Sequence, residues 1–412
     1  MTENQNESRM EAAAKRLFYI LATPRDQSVM PKPPVVVWTA APGEGKSVYA
    51  KLVASALGIS DDHYLRFNAG AMSDTDFHGL QWPTENGIRL EVDERIVKLM
   101  DGKPSIVALD EAGNMPRSTQ ACALGALDSG TMGRYTLPCT SAFLMMMNPP
   151  ESGTDAQEIA FALANRANWQ SFGGPTNREF AEFMSKRGKV ALPVLPDITT
   201  VAKAYDITYA TLTALHDAYL SNVACGGTLR EDPTSDDVRA RFSTLDINET
   251  GERIYQPSYC TPRSVTMGLN QAATALCYGD WPAAVDIMCG AFGRPQGMKF
   301  GAFAEKQDIV NPVALLKGEA MWTPDPHRPD RTHAQASACA NVAISGALPG
   351  DPMKWWSACW NVFDLAMKAG AEKGLLTVGA ERLAMNKPKG ALLAQHADII
   401  AELAPVVRAT LA

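Results

Sequence analysis

The chain has 412 residues, of which 46% are hydrophobic and 20% charged, and it carries a net charge of −7. That is an ordinary globular composition, and at about 150 residues per domain it predicts roughly two to three domains. The longest apolar run, Ala142 to Met147, is strand-sized and leaves no candidate membrane span, while the acidic balance gives no general attraction for nucleic acid.

The N-terminus, Met1 to Arg9, is polar and acidic and lacks a positive flank leading into an apolar core. That pattern argues against a secretory signal and for a cytoplasmic location. Eight cysteines are scattered through the chain, with no pair at zinc-site or redox spacing. Most sit among Ala, Leu and Met, where a free thiol packs as a small apolar group.

In chain order, Glu11 to Leu21 reads as a helix, and Pro31, Pro33 and Pro34 then stop regular structure. Val35 to Trp38 is a β-branched run that predicts a buried strand. A glycine-containing loop and a helix from Lys46 to Leu57 follow, then strands at Tyr64–Phe67, Ser105–Leu109 and Phe143–Met147. Trp82 to Val92 predicts a hairpin turning at Asn86-Gly87. Helical patterns lie between several strands, as a parallel sheet with crossover helices requires. After Pro193 the strands disappear, and Thr199–Leu220, Pro262–Tyr278 and Pro282–Phe292 read as helices. Gly226 to Tyr255 reads as a polar surface loop. Trp356, Trp360, Phe363 and Met367 form a helix-spaced apolar stripe, expected either to pack on neighbouring helices or to dock a partner.

Ala40 to Ser47 reads A-A-P-G-E-G-K-S, after a predicted strand and opening a predicted helix. In that context it is a phosphate-binding loop. Gly43 and Gly45 let backbone N–H groups turn inward around phosphate oxygens, and the helix start adds its positive dipole end. Lys46 is expected to reach the β- and γ-phosphates of ATP and Ser47 to coordinate Mg²⁺. Ala41, Pro42, Gly43, Glu44, Gly45 and Val48 complete the cradle. Ala40 replaces the first glycine of the motif, and its methyl group fits only if φ stays negative.

The strand Ile106–Leu109 delivers Asp110 and Glu111 at its C-terminal end, where open α/β sheets place ligands. Asp110 is expected to hold Mg²⁺, and Glu111 to orient or deprotonate an attacking water.

With these motifs the sequence resembles the AAA+ ATPases, and among them the MoxR-like group, over roughly residues 10 to 290. The stretch D-E-A-G-N-M-P-R-S-T-Q from Asp110 resembles the family's segment after the acid-bearing strand, with Asn114 where that family often has Arg. F-L-M-M-M-N-P-P, ending at Pro150, resembles the sensor-1 strand, which implies that Asn148 positions the attacking water. A-L-A-N-R, ending at Arg166, resembles the arginine-finger segment, although Ala167 stands where a Phe is usual. Arg166 would then enter a neighbour's ATP site. Thr261-Pro262-Arg263 resembles the sensor-2 motif, which implies contact between Arg263 and the γ-phosphate of its own subunit.

The resemblance implies an α/β fold: an AAA+ phosphate-loop core whose parallel sheet is flanked by helices, then an α-helical lid and a helical C-terminal extension. The segments would be 1–30 (N-terminal helix and linker), 31–195 (core), 196–300 (lid) and 301–412 (extension). It further implies a homo-oligomeric, hexameric ring that hydrolyses ATP with Mg²⁺ to remodel a protein client, with a von Willebrand factor A domain protein as partner. The hairpin would either face the pore or a partner or lie at the periphery of the sheet, since hairpin chemistry does not specify where it points. Two other functions share the core: a nucleic-acid motor or loader, which the acidic balance and the lack of a basic stripe with interleaved aromatics disfavour, and an ATP-gated assembly switch, which the pairing of Glu111 with Arg166 disfavours.

Overall fold

A computed structural model describes residues 9–24, 33–150, 161–171, 177–185, 198–247, 253–391 and 396–411. The chain separates into two compact units, Met1–Leu195 with Leu229–Gly297, and Pro196–Thr228 with Met298–Ala412. The expected polar N-terminal tail up to residue 8, Pro31 and Pro193 lie outside the described residues.

The first unit is an α/β phosphate-loop core. It begins with α1 (Arg9–Ala22), β1 (Val35–Thr39), α2 (Lys46–Ala56), β2 (Tyr64–Asn68) and α3 (Asp74–His78). A hairpin, β3 (Leu80–Thr84) and β4 (Gly87–Glu91), leads to α4 (Glu94–Lys98), β5 (Ser105–Asp110) and α5 (Arg117–Ser129). Then come the small ladder of β6 (Thr131–Met132) and β7 (Tyr135–Thr136), β8 (Ser141–Met147), α6 (Phe161–Ala164), β9 (Asn168–Ser171) and α7 (Asn177–Ser185). The helix α8 (Ile198–Ser221) belongs to the second unit.

Five strands form one parallel sheet in the order β2-β5-β8-β1-β9. The central strands β1 (VVVWT) and β8 (SAFLMMM) are buried at every position. Continuous apolar runs of this kind belong to sheets covered on both faces, and each large side chain so buried stabilises the fold by about 1.5–3 kcal/mol. Register pairs Thr39 with Met147, Leu109 with Met145 and Asn68 with Asp110, so the C-terminal ends of these strands lie level.

The same unit contains α9 (Asp236–Ser243), the short ladder of β10 (Asp246–Ile247) and β11 (Arg253–Ile254), α10 (Pro262–Cys277) and α11 (Trp281–Phe292). The start of α10 is fixed by a capping box in which Thr261 Oγ1 accepts from the Ser264 N–H at 3.1 Å, with Pro262 in the first turn. The helix α11 lies so close to β9 that a Cβ at Gly290 would stand 2.3 Å from the Trp169 carbonyl oxygen. The expected lid, 196–300, is therefore shared between the two units, because α10 and α11 pack on α1 and β9.

Two expectations are corrected. The polar stretch 226–255 is not simply a loop. It contains α9, capped by Ser235 and held by Val238 and Phe242, which pack in a small core with Ala164 and Tyr259. The hairpin pairs Thr84 with Gly87, so its turn is Glu85-Asn86, and the only positive φ there is that of Gly87 (125°).

The second unit is helical: α8, the remainder of α12 (Arg294–Gln307), α13 (Pro312–Lys317), α14 (Pro329–Ile344), α15 (Pro352–Lys368), α16 (Lys373–Met385) and α17 (Ala397–Leu411). Trp356, Trp360 and Phe363 are buried in its core with Cys339, Cys359 and Leu376, which removes the docking alternative for this stripe. The Trp356 indole N–H donates to the Leu383 carbonyl at 2.8 Å, so the one polar group of that ring is satisfied on burial. No described helix is long and apolar enough to cross a membrane.

His216 on α8 is buried against Phe300, with ring centroids 5.0 Å apart. Desolvation pulls its pKa from 6.5 down to about 4, and Asp217 opposes this only partly. Because the folded value is the lower one, the stabilisation is complete above the unfolded pKa and is lost as pH falls toward the folded one. Lowering the pH from 7 to 5 is expected to cost the second unit roughly 1–2 kcal/mol through this group. Urea titrations of wild type and His216→Phe at both pH values check this; the substitution should flatten the dependence.

Candidate nucleotide site

The strands β1, β8 and β5 run parallel and end at the same edge, so the residues after them converge. β1 and β5 are two strand spacings apart, about 9–10 Å, with β8 between them. The loop after β1 closes that gap over the end of β8: Ser47 Oγ donates to Asp110 Oδ2 at 3.0 Å. Lys46 Nζ lies over β8 itself, donating to Asn148 Oδ1 at 2.9 Å and to the carbonyls of Ala40 (2.8 Å) and Ala41 (2.9 Å). The structure thus brings Lys46, Ser47, Asp110 and Asn148 together.

The loop has the backbone that the motif demands. Gly43 and Gly45 have φ of 82° and 86°, in the left-handed region that suits glycine. Ala40 is not among the residues of positive φ; it is buried and its N–H donates to the Met147 carbonyl at 3.2 Å, so its methyl group is accommodated. Glu44 turns back into the loop, and its Oε2 accepts from the Ala41 N–H at 2.8 Å. One loop amide therefore already holds an anionic oxygen. Val48, beside Ser47, exposes an apolar side chain.

Burial lowers the pKa of Lys46 from its ordinary value, with Glu44 and Asp110 acting in the opposite direction. A partly desolvated ammonium whose three donors all meet acceptors exchanges those acceptors for phosphate oxygens at little cost in unpaired groups. For a cation, Ser47 and Asp110 offer one hydroxyl and one carboxylate, and the described residues contain no cluster of three or more His, Cys, Asp or Glu side chains able to hold a metal. That sparse oxygen set fits Mg²⁺, which takes most of its ligands from water and substrate phosphates, and does not fit zinc.

Glu111 follows with φ 56° and ψ 34°, one of two non-glycine residues at positive φ among those described. Such a conformation costs about 1 kcal/mol or more. Here the Glu111 N–H donates to Asp110 Oδ1 at 3.0 Å, while its carboxylate is left exposed at the rim.

Arg66 joins this group, and the sequence reading missed it. It lies on β2 opposite Ala108, and its Nε donates to Asp110 Oδ2 at 2.9 Å. Its Nη2 also contacts that oxygen. The signal was a lone arginine inside the apolar strand YLRFN. Nearby, burial pushes the Tyr64 hydroxyl up to about 12, with Arg66 lowering and Asp110 raising it.

Arg166 and Arg263 are not part of this group. Both pair with Asp128 Oδ1 at 3.3 Å, and Arg166 Nη1 also donates to the Ala162 carbonyl at 2.7 Å. Asp128 lies at the end of α5, two residues before Gly130, where a Cβ would stand 2.8 Å from Pro33, ahead of β1. Arg166 likewise just precedes β9. The arginine pair therefore lies at the N-terminal edge of the strands, a strand length of about 15 Å from the loop. Arg263, expected at the γ-phosphate, is held here by Asp128 and by none of the phosphate-loop residues.

No family model matches the chain, and no curated protein matches it. Among solved structures it is similar to the crystal structure of a protein from Cytophaga hutchinsonii described as a "putative ATPase", at 11% identity and a TM-score of 0.40, over 69% of this chain and 82% of that one. The fold assignment made above rests on the strand order and register of the chain itself.

Proposed function

We propose that the chain is a Mg²⁺-dependent ATPase of the AAA+ type, MoxR-like, that works as a ring, hexameric by that likeness, to remodel a protein client. The observation that carries the nucleotide reading is the junction at the C-terminal strand edge, where Lys46 meets Asn148 at 2.9 Å and Ser47 meets Asp110 at 3.0 Å. Lys46 and the loop amides bind and orient the phosphates of ATP. Ser47 and Asp110 would hold Mg²⁺, which supplies charge neutralisation to the phosphate oxygens when bound. Asn148 orients the attacking water, and Glu111, exposed at the rim, takes its proton.

In this reading Arg166 serves the neighbouring subunit, and Arg263 goes with it. Support comes from their shared partner, Asp128, at the edge opposite the phosphate loop. The exposed hairpin β3–β4, with Trp82 and Ile88 both more than half exposed, is the surface offered to the pore, the client or a von Willebrand factor A domain partner.

Hydrolysis per subunit is therefore expected to rise with protein concentration, as sites are completed between subunits. Arg166→Ala should abolish the rise and lower turnover by about 10³-fold while sparing ATP binding. Wild-type turnover that does not depend on concentration contradicts the role in trans.

A further inference from the structure

Arg66 is the charged group that the nucleotide reading does not use. Its guanidinium contacts Asp110 Oδ2, the same oxygen that accepts from Ser47 Oγ. In the Ser47–Asp110 reading of the cation site, that oxygen is the one that faces the metal. A guanidinium there is a resident counter-charge: it neutralises Asp110 and takes up its lone pairs. The two partners differ in freedom. The Asp110 side chain is 13% exposed and that of Arg66 is 56% exposed, so the carboxylate is fixed and the guanidinium has solvent to swing into.

Register explains why Arg66 reaches this place. Asn68, at the end of β2, pairs with Asp110, while Arg66 lies two residues earlier, opposite Ala108. Its long stem runs along the strand direction to the end of β5. Its neighbours Leu65 and Phe67, alternating to the other face, pack in the core and hold the strand, so the arginine is presented by a fixed backbone.

We propose that Arg66 is a displaceable counter-ion of Asp110, which must give up the carboxylate oxygen before a divalent cation is held between Ser47 and Asp110. The proposal rests on the Mg²⁺ reading given above. It makes Arg66 a positioning residue that sets how much Mg²⁺ the site demands. Entry of the metal and its nucleotide is then coupled to release of the guanidinium into solvent.

The test is the binding of a fluorescent ATP analogue to the full-length chain as Mg²⁺ is titrated, with no turnover measured. Arg66→Gln removes the competing charge and is expected to lower the half-maximal Mg²⁺ concentration about fivefold, the scale of a partly exposed ion pair. Arg66→Lys keeps the charge with a shorter, single-point contact and should fall between the two. Circular dichroism of both variants reports whether they are folded, and the lysine variant keeps the test decisive if the glutamine variant is not. An unchanged or raised Mg²⁺ requirement in the folded variants overturns the proposal. Asp110→Asn separates it from the reading beneath it. That variant should lose the Mg²⁺ dependence that wild type shows; Mg²⁺-independent binding in both would remove the metal site, and the proposal with it.

Discussion

Lys46→Ala is expected to abolish ATP binding, lowering affinity by at least about 100-fold. Hydrogen bonds to charged groups contribute about 1.5–3 kcal/mol each, and a lysine that grips two phosphate oxygens forfeits both. The effect is large because nothing at the site replaces the ammonium. Arg66, the other cation close by, sits on Asp110 rather than in the phosphate loop, and the proposal above sends it into solvent when the site fills. The variant also leaves Asn148 Oδ1 and the carbonyls of Ala40 and Ala41 without the donor that now serves them. A thermal-shift titration checks binding. At a ligand concentration about 100 times the wild-type Kd a bound nucleotide adds about 2.7 kcal/mol to stability, and the variant should keep no more than about 0.4 kcal/mol of this gain. A wild-type shift in Lys46→Ala would mean that the nucleotide is held elsewhere.

The second large effect is expected at Glu111→Gln. General-base catalysis contributes about 10²- to 10⁴-fold, so turnover should fall by that factor while ATP stays bound. The separation follows from position. The Glu111 carboxylate is exposed at the rim, whereas Lys46 and Ser47 are bonded to Asn148 and Asp110. Gln keeps the shape of the side chain and adds no β-branch at a left-handed position. Single-turnover hydrolysis, with retained ATP measured in parallel, reads both quantities. Turnover at the wild-type rate would show that Glu111 is not the base. The same variant, holding ATP without consuming it, is the form in which the proposed partners and clients would best be captured for mass spectrometry.

The strands and the phosphate loop were legible because their signals are local. A β-branched run, two glycines and a Lys-Ser pair specify strand, turn and helix start within residues 35 to 47. The convergence of Asp110 on Ser47 was also accessible, since parallel strands bring their C-terminal ends to one edge. Arg66 was not, because its partner lies 44 residues away and is chosen by strand register, which pattern alone does not fix. The surroundings of Arg263 were hidden for a related reason. The motif at Thr261 identifies a helix start, but the packing of α10 and α11 on α1 and β9 decides which edge of the sheet that start faces. The helix at Asp236–Ser243 went unseen because only Val238 and Phe242 mark its buried face, too few for a periodic signal. The Trp stripe had two readings that burial alone separates.

The sheet also bears on the proposal that the site is divided between subunits. The edge that carries Lys46, Asp110 and Asn148 and the edge that carries Arg166 and Arg263 are opposite ends of the same strands. In the ring proposed above, stacking subunits side by side would join one edge to the other, and ATP at that joint would be part of the contact. Hydrolysis would then weaken the joint and turn nucleotide state into movement.

The most direct test of this account is phosphate release from ATP by the purified full-length chain, measured with and without Mg²⁺. The account predicts release that requires Mg²⁺, is absent in Lys46→Ala, and is reduced at least about 100-fold in Glu111→Gln. Mg²⁺-dependent release that persists undiminished in Lys46→Ala, or no release by wild type at any protein concentration, would contradict it.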